Sequence, residues 1–270
     1  MKIRVGGVKK DVSSIKIKKK GVVVDATKAF ISRGGVKEEV WSASRPTETF
    51  NMSITANTTG YGLKSAWNAA YRAEYGEPIE GDVINVSISD GVIVGTSSGI
   101  TRPSFDITDS FNGATINLTL GTGAYIVGRG GRGVGEDSFG SPRGSLPGGT
   151  ALKTLAPVNI TNNGTIAGGG GGGVGANKGL SLGVGYGGGG GAGNVVGQGG
   201  LGNIANGSPG TLTTGGAGAG AGSAGGDLGQ AGEVGTAVYP AGFPGAGGKA
   251  IEGIDNVTFI TEGTIIGDTV

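Results

Sequence analysis

The sequence predicts an all-β protein with one short helix, in which β-hairpin repeats lead into a bundle of polyglycine II helices joined by loops. Three observations carry that expectation. A short pattern, G-x-I-x-G, recurs behind Asn/Thr-rich apolar runs. Glycine, at 64 of 270 residues, is gathered into runs separated by segments with ordinary side chains. Helical spacing stands out at one place, between Gly62 and Gly76, where Leu63, Ala66, Trp67, Ala70 and Tyr71 share a face.

In chain order, residues 1–45 read as a small β module. Gly6-Gly7-Val8-Lys9-Lys10-Asp11-Val12 returns as Gly34-Gly35-Val36-Lys37-Glu38-Glu39-Val40, and a Gly-Gly turn beside alternating apolar residues is a hairpin signal. The module holds 12 Lys/Arg against 4 Asp/Glu, a balance of +8, whereas the remaining 225 residues hold 9 against 16, or −7. Its densest run, Lys16, Lys18, Lys19 and Lys20 with Ile15 and Ile17 between, alternates as a strand with one solvated face does. No stacking aromatics accompany the lysines, so no nucleic-acid partner is expected. The charge instead suits an anchor on a more acidic component of a larger particle.

Residues 46–127 read as a β-rich domain around the one helix. Strand patterns cover Val83 to Ile88, Val92 to Val94, Ser104 to Ile107 and Ile116 to Leu120. The G-x-I-x-G pattern appears at Gly91–Gly95, Gly164–Gly168 and Gly263–Gly267, and with alanine first at Ala124–Gly128. Each copy follows an Asn/Thr-rich run beginning near Asn85, Asn117, Asn159 or Asn256. Asp90-Gly91 and Asn163-Gly164 are hairpin-turn dipeptides, so each unit is expected to run strand, tight turn, strand.

Residues 128–250 are the glycine-rich domain, with 46 glycines between Gly128 and Gly248 and Lys178 as the only charge between Thr154 and Gly226. A flexible linker has no reason to gather its glycines into separate runs. Ordering glycine costs more backbone entropy than ordering any other residue, so the runs need compensation. Extended left-handed helices of three residues per turn leave every N–H and C=O pointing outward. Packed side by side they satisfy one another, and only glycine allows so close an approach. Residues 251–270 then form a closing strand pair, which brings the chain back to a sheet after the last run.

Most catalytic chemistry is disfavoured. The chain has no cysteine and no histidine, which removes Cys/His zinc sites and the commonest general base. Gly128-Arg129-Gly130-Gly131-Arg132-Gly133 matches a dinucleotide fingerprint, but loop residues follow where a helix must receive the pyrophosphate. Gly248-Lys249-Ala250 lacks the hydroxyl that a phosphate loop gives to magnesium. The pairs Glu38/Glu39 and Glu77/Glu80 lie outside the glycine region, which disfavours glycan cleavage. The expectation is a non-enzymatic protein with no cofactor and no metal. No apolar run serves as a signal peptide or a membrane span, which implies synthesis in a host cytoplasm.

The hairpin-rich stretch Val83–Gly95 with Asn117–Gly135, the entry Val158–Gly173 and the ending Val257–Val270 resemble glycine-rich tail proteins of tailed bacteriophages. Over roughly residues 83–270 the chain is similar in kind to the tip adhesins of T-even-type long tail fibres. That resemblance implies a virion tail protein whose stacked polyglycine helices carry loops that bind an outer-surface receptor, a membrane protein or lipopolysaccharide. It also implies attachment to another tail or fibre protein, here expected through residues 1–45. The large side chains between the glycine runs are then the candidate receptor contacts: Phe139, Leu180, Leu182, Ile204, Leu212, Leu228 and Tyr239, with Arg143 and Lys178 as polar ones. The rival expectation is a purely structural tail or baseplate subunit with the glycine domain as spacer or plug.

Overall fold

The structure is a computed structural model. It describes residues 2–5, 8–11, 16–19, 22–25, 28–33, 36–42, 45–96, 102–108, 111, 113–136, 142–177, 184–235 and 240–270. The chain divides into two compact units, Met1–Pro46 and Thr47–Val270.

In the first unit, three antiparallel pairs follow one another. Lys2–Val5 pairs with Val8–Asp11, Lys16–Lys19 with Val22–Asp25, and Lys28–Arg33 with Val36–Ser42. The repeated Gly-Gly dipeptides fall between the facing residues Val5 and Val8 and between Arg33 and Val36. The basic stretch supplies one strand of the middle pair, Lys16–Lys19.

In the second unit the repeats form a three-sided parallel β-helix. Its first face is a five-stranded sheet of Thr49–Ile54, Val83–Ile88, Thr115–Leu120, Val158–Asn162 and Val257–Thr261. The second face stacks Thr58–Thr59, Ile93–Gly95, Tyr125–Val127, Thr165–Ala167 and Thr264–Ile266. The third stacks Tyr61–Gly62, Phe105–Ile107, Leu152–Thr154 and Ile251–Glu252. The segments expected separately as 46–127, 128–250 and 251–270 therefore share sheets.

This corrects the expectation of hairpins in the second unit. Val83–Ile88 and Ile93–Gly95 do not pair with each other; each pairs in parallel and in register with the matching strand of the next repeat. The dipeptides that read as hairpin turns are corners. Gly91, Gly123 and Gly263 hold φ of 68°, 66° and 61°, the left-handed conformation glycine adopts without penalty. At the corner, Asp90 and Gly121 are stacked closely: Gly91 N–H donates to Thr122 O, and Thr122 N–H donates to Asp90 Oδ1 at 2.8 Å. Local turn chemistry cannot separate a reversal from a corner. The decision comes from the repeat itself, because copies stacked in parallel bury like residues over like.

The core consists of such columns. Ile84 lies over Ile116 and Val158, Val86 over Leu118 and Ile160, and Ile88 over Leu120, all buried. Val94, Ile126 and Ile166 line the second face, and Phe105, Leu152 and Ile251 the third. On the outer side of the first face, Asn51, Asn85, Asn117 and Asn159 form a ladder in which each amide from Asn85 onward donates to the one before it at 2.9–3.0 Å.

The expected helix is present, as Leu63–Ala70 with a short second turn, Arg72–Tyr75, after a break at Tyr71. Leu63 and Trp67 are buried, and the Trp67 indole donates to Gly76 O at 2.8 Å. The rings of Trp67, Tyr71 and Tyr75 pack around Phe50 with centroids 4.6–5.1 Å away, at the outermost strand of the first face.

Candidate functional site

The glycine region is not a separate body attached to the β-helix. It is two excursions of the coil at the corner between the second and third faces. The chain leaves at Val127 and at Ala167 and rejoins the third face at Leu152 and Ile251. Pairing continues past the strand ends: Gly128 N–H donates to Ala167 O and Gly168 N–H to Ile266 O, each at 2.9 Å. The returning segments stay paired as well, with Ala151 N–H on Lys249 O at 3.0 Å.

Beyond that corner the backbone bonds repeat every third residue and turn through three directions. From one segment, Gly187, Gly190 and Gly193 donate to Ala205, Ser208 and Thr211. Gly188, Gly191 and Asn194 donate to Val134, Gly131 and Gly128, and Gly189 and Ala192 donate to Ser223 and Gly226. The same segment accepts bonds from Gly170 and Gly173, from Gly197 and Gly200, and from Gly216 and Ala219. Its three donor rows and three acceptor rows thus meet six neighbouring segments. Segment 168–174 is likewise surrounded, by 128–134, 146–149, 189–192, 223–229, Gln230 and 245–248.

That spacing leaves no room for side chains. A methyl group on Gly189 would lie 1.8 Å from Gly216 O, one on Gly172 1.8 Å from Arg132 O, and one on Gly200 1.7 Å from Val134 O. Large side chains are therefore placed mainly on the outside of the bundle, on its links and at its seam with the β-helix, with Val134, Val174 and Val184 buried at the ends of runs.

Five of the nine expected contact residues, Phe139, Lys178, Leu180, Leu182 and Tyr239, lie outside the described residues. Arg143 is on the strand Pro142–Arg143, which pairs antiparallel with Gly135–Glu136. Ile204 is 46% exposed in the link between two runs. Leu212 and Leu228 belong to the seam instead. Leu228 is 4% exposed in a small apolar cluster with Val127, Ala167 and Ala192, and Leu212 packs against that cluster. Leu228 thus packs in the junction beside the start of the excursions and does not stand out from a loop. Sequence reading missed Leu201, Val234 and Phe243, which are 53%, 73% and 86% exposed. The signal was their position. Each stands next to a glycine: Leu201 between Gly200 and Gly202, Val234 before Gly235 and Phe243 after Gly242.

Charge gathers elsewhere, on the third face of the β-helix. Asp106, Lys153 and Glu252 form one column, and Lys153 Nζ lies 2.7 Å from Glu252 Oε1. The hydrogen bond from Lys153 holds the Glu252 carboxyl below its ordinary range, and the same bond raises Lys153. Burial raises the Asp106 carboxyl. Among the described residues no three His, Cys, Asp or Glu side chains cluster as metal ligands, and no helix is long and apolar enough to cross a membrane.

This architecture is shared with known proteins. The family model for "Phage tail fibre adhesin Gp38" matches residues 49–270. The chain is also similar to a chain in the crystal structure of the gp37-gp38 adhesin tip complex of the bacteriophage S16 long tail fiber. There the identity is 25%, the TM-score is 0.60, and the match covers 83% of this chain and 82% of that one. No curated protein matches the chain. The family match begins at the first strand of the β-helix and runs through the glycine bundle to the last residue: the chain belongs to the phage tail fibre adhesin Gp38 family.

Proposed function

We propose that this fibre-tip adhesin recognises its host through the loops that link the glycine runs, and that the runs are polyglycine II helices serving as a rigid display frame. One observation carries the reading. Within the glycine runs the backbones touch and leave no room for a side chain at the glycine positions, yet Leu201, Ile204, Val234 and Phe243 stand exposed on the links of the bundle. Large apolar residues in water are costly unless a partner covers them, and a few such anchors usually dominate binding. The three-residue period of the backbone bonds, with three donor directions per segment, supports the polyglycine II description. Ile204, Phe139, Arg143, Lys178, Leu180, Leu182 and Tyr239 remain in the proposed contact set, joined by Leu201, Val234 and Phe243. An outer-membrane protein or a lipopolysaccharide suits such a surface.

The similar S16 chain is part of a complex with gp37. By that likeness we place this chain on the end of another tail-fibre protein, within the virion tail. Residues 1–45, which precede the family match and carry a net charge of +8, are proposed as the attachment to another virion tail or fibre protein. The test replaces the links one at a time with Gly-Ser segments and measures phage adsorption. At least one replacement is expected to abolish adsorption while the protein still folds and assembles. If all fold, assemble and adsorb normally, recognition lies elsewhere and the bundle is a spacer.

A further inference from the structure

A groove of about 490 Å³ runs along the seam between the second face of the β-helix and the glycine bundle. One wall is a register column of that face, Tyr125, Thr165 and Thr264, one residue from each of three adjacent strands. Adjacent strands repeat at about 4.8 Å, so the column presents a ring and two hydroxyls at that step. The opposite wall comes from the bundle and carries Asp227 and Gln230. Asp227 Oδ1 accepts the Gly215 N–H at 2.8 Å, which fixes the carboxylate and leaves its second oxygen for a ligand. Leu228 and Ile266 make the floor apolar.

We propose that this groove binds a neutral saccharide, a monosaccharide or one unit of a surface glycan. A pyranose has an apolar C–H face and a rim of hydroxyls. A half-buried tyrosine ring and an aliphatic floor take the first. A carboxylate, an amide and threonine hydroxyls take the second, and polar groups placed sparsely in a partly apolar cleft are what orient a small ligand. Other classes fit less well. No Lys or Arg lines the groove, and Asp227 repels an anion. A single carboxylate does not hold a metal ion. An added peptide strand would need a free sheet edge, whereas Tyr125 and Thr165 lie on strands paired on both sides. The site uses none of the exposed loop residues assigned to receptor contact, so it stands or falls independently of that reading.

A single sugar ring held by so few groups binds weakly, with dissociation constants of about a millimolar. The experiment is saturation-transfer NMR on the full chain with the methyl glycosides of glucose, galactose and N-acetylglucosamine. Transfer to the ring protons of at least one glycoside is expected. Gln230→Ala, at an exposed position, and Asp227→Asn, which keeps an oxygen to accept the Gly215 N–H, are each expected to cut it at least threefold. Ile260→Ser, at an exposed position on the first face, is expected to leave it unchanged. The same signal with a lipid-free oligosaccharide from host lipopolysaccharide, reduced by the same substitutions, identifies a surface glycan as the source; its absence there leaves a free sugar. No transfer from any of the three glycosides overturns the proposal. So does transfer that survives both groove substitutions, or that Ile260→Ser abolishes.

Discussion

The β-helix and the glycine bundle are both stacks of chain segments joined by backbone hydrogen bonds, yet they solve the problem of a dry interior in opposite ways. In the β-helix each segment bonds to one neighbour on each side, and apolar columns such as Val86, Leu118 and Ile160 fill the space enclosed by three faces. In the bundle each central segment bonds to six neighbours, and along the glycine runs the backbones themselves touch. The first design stabilises by burying side chains. The second replaces that burial by complete backbone pairing, at the entropic cost of ordering glycine. Where one design meets the other, at Val127, Ala167, Ala192 and Leu228, a small cluster of ordinary apolar residues bridges them.

The sharpest way to break this contrast is to add atoms to one region and remove them from the other. Gly189→Val places a branched side chain where even a methyl group would lie 1.8 Å from Gly216 O, with a fixed backbone on the other side of the contact. The loss is expected to exceed about 3 kcal/mol, beyond ordinary overpacking, and to unfold the bundle. Proteolysis within 184–235 would then precede loss of the β-helix. In the β-helix, Leu118→Ala removes atoms from a fully enclosed column and is expected to cost about 2–5 kcal/mol, read as a lowered urea midpoint. If Gly189→Val is tolerated as well as a surface change, the bundle is looser than its hydrogen bonds imply.

The two regions also differed in how far they could be read from sequence. The strands themselves were legible, since alternation in Val-Ile-Asn-Val-Ser-Ile marks one buried and one wet side. Their partners were not. Asp90-Gly91 has the same local preference in a hairpin and in a solenoid corner, and the choice depends on Asn117 stacking on Asn85 thirty-two residues away. The close backbone contact along the runs followed from glycine alone, because no other residue permits such contact. Which loop residues point outward did not follow. Leu228 and Val234 look alike in sequence, and only the seam with the second face distinguishes the buried one from the exposed one.

A milder change tests whether the wet side of the β-helix matters. Asn117 donates to Asn85 and accepts from Asn159, so Asn117→Ala leaves one acceptor and one donor without their ladder partner. Because the ladder is only part-buried, water recovers some of the loss, and a decrease of about 1 kcal/mol is expected. Asn117→Thr is expected to cost less, since Thr258 already continues the same column beyond Asn159. Equal stability of wild type and Asn117→Ala would reduce the ladder to decoration on an apolar core.

The smallest expected effect lies on the third face and depends on pH. Glu252 is held below its ordinary carboxyl value of 4.5, first by the hydrogen bond from Lys153. A carboxyl lowered in the folded state contributes stability above its unfolded pKa and loses it as pH falls through the folded value. Lys153 is raised by the same bond, so its share is present at neutral pH and disappears only as pH rises through its folded value above 10.5. Asp106 has the opposite sign to Glu252: burial raises it, so its charged form opposes folding at neutral pH and the opposition fades in acid. Lys153 and Glu252 are about one-third exposed, so solvent screening keeps the pair below about 1 kcal/mol. Urea midpoints of Glu252→Gln should therefore fall slightly short of wild type at pH 7 and converge with it near pH 3. Asp106→Asn should match or slightly exceed wild type at pH 7 and converge in the same acid range. A Glu252→Gln deficit that persists unchanged at pH 3 would mean that the side chain acts there by packing and not by its charge.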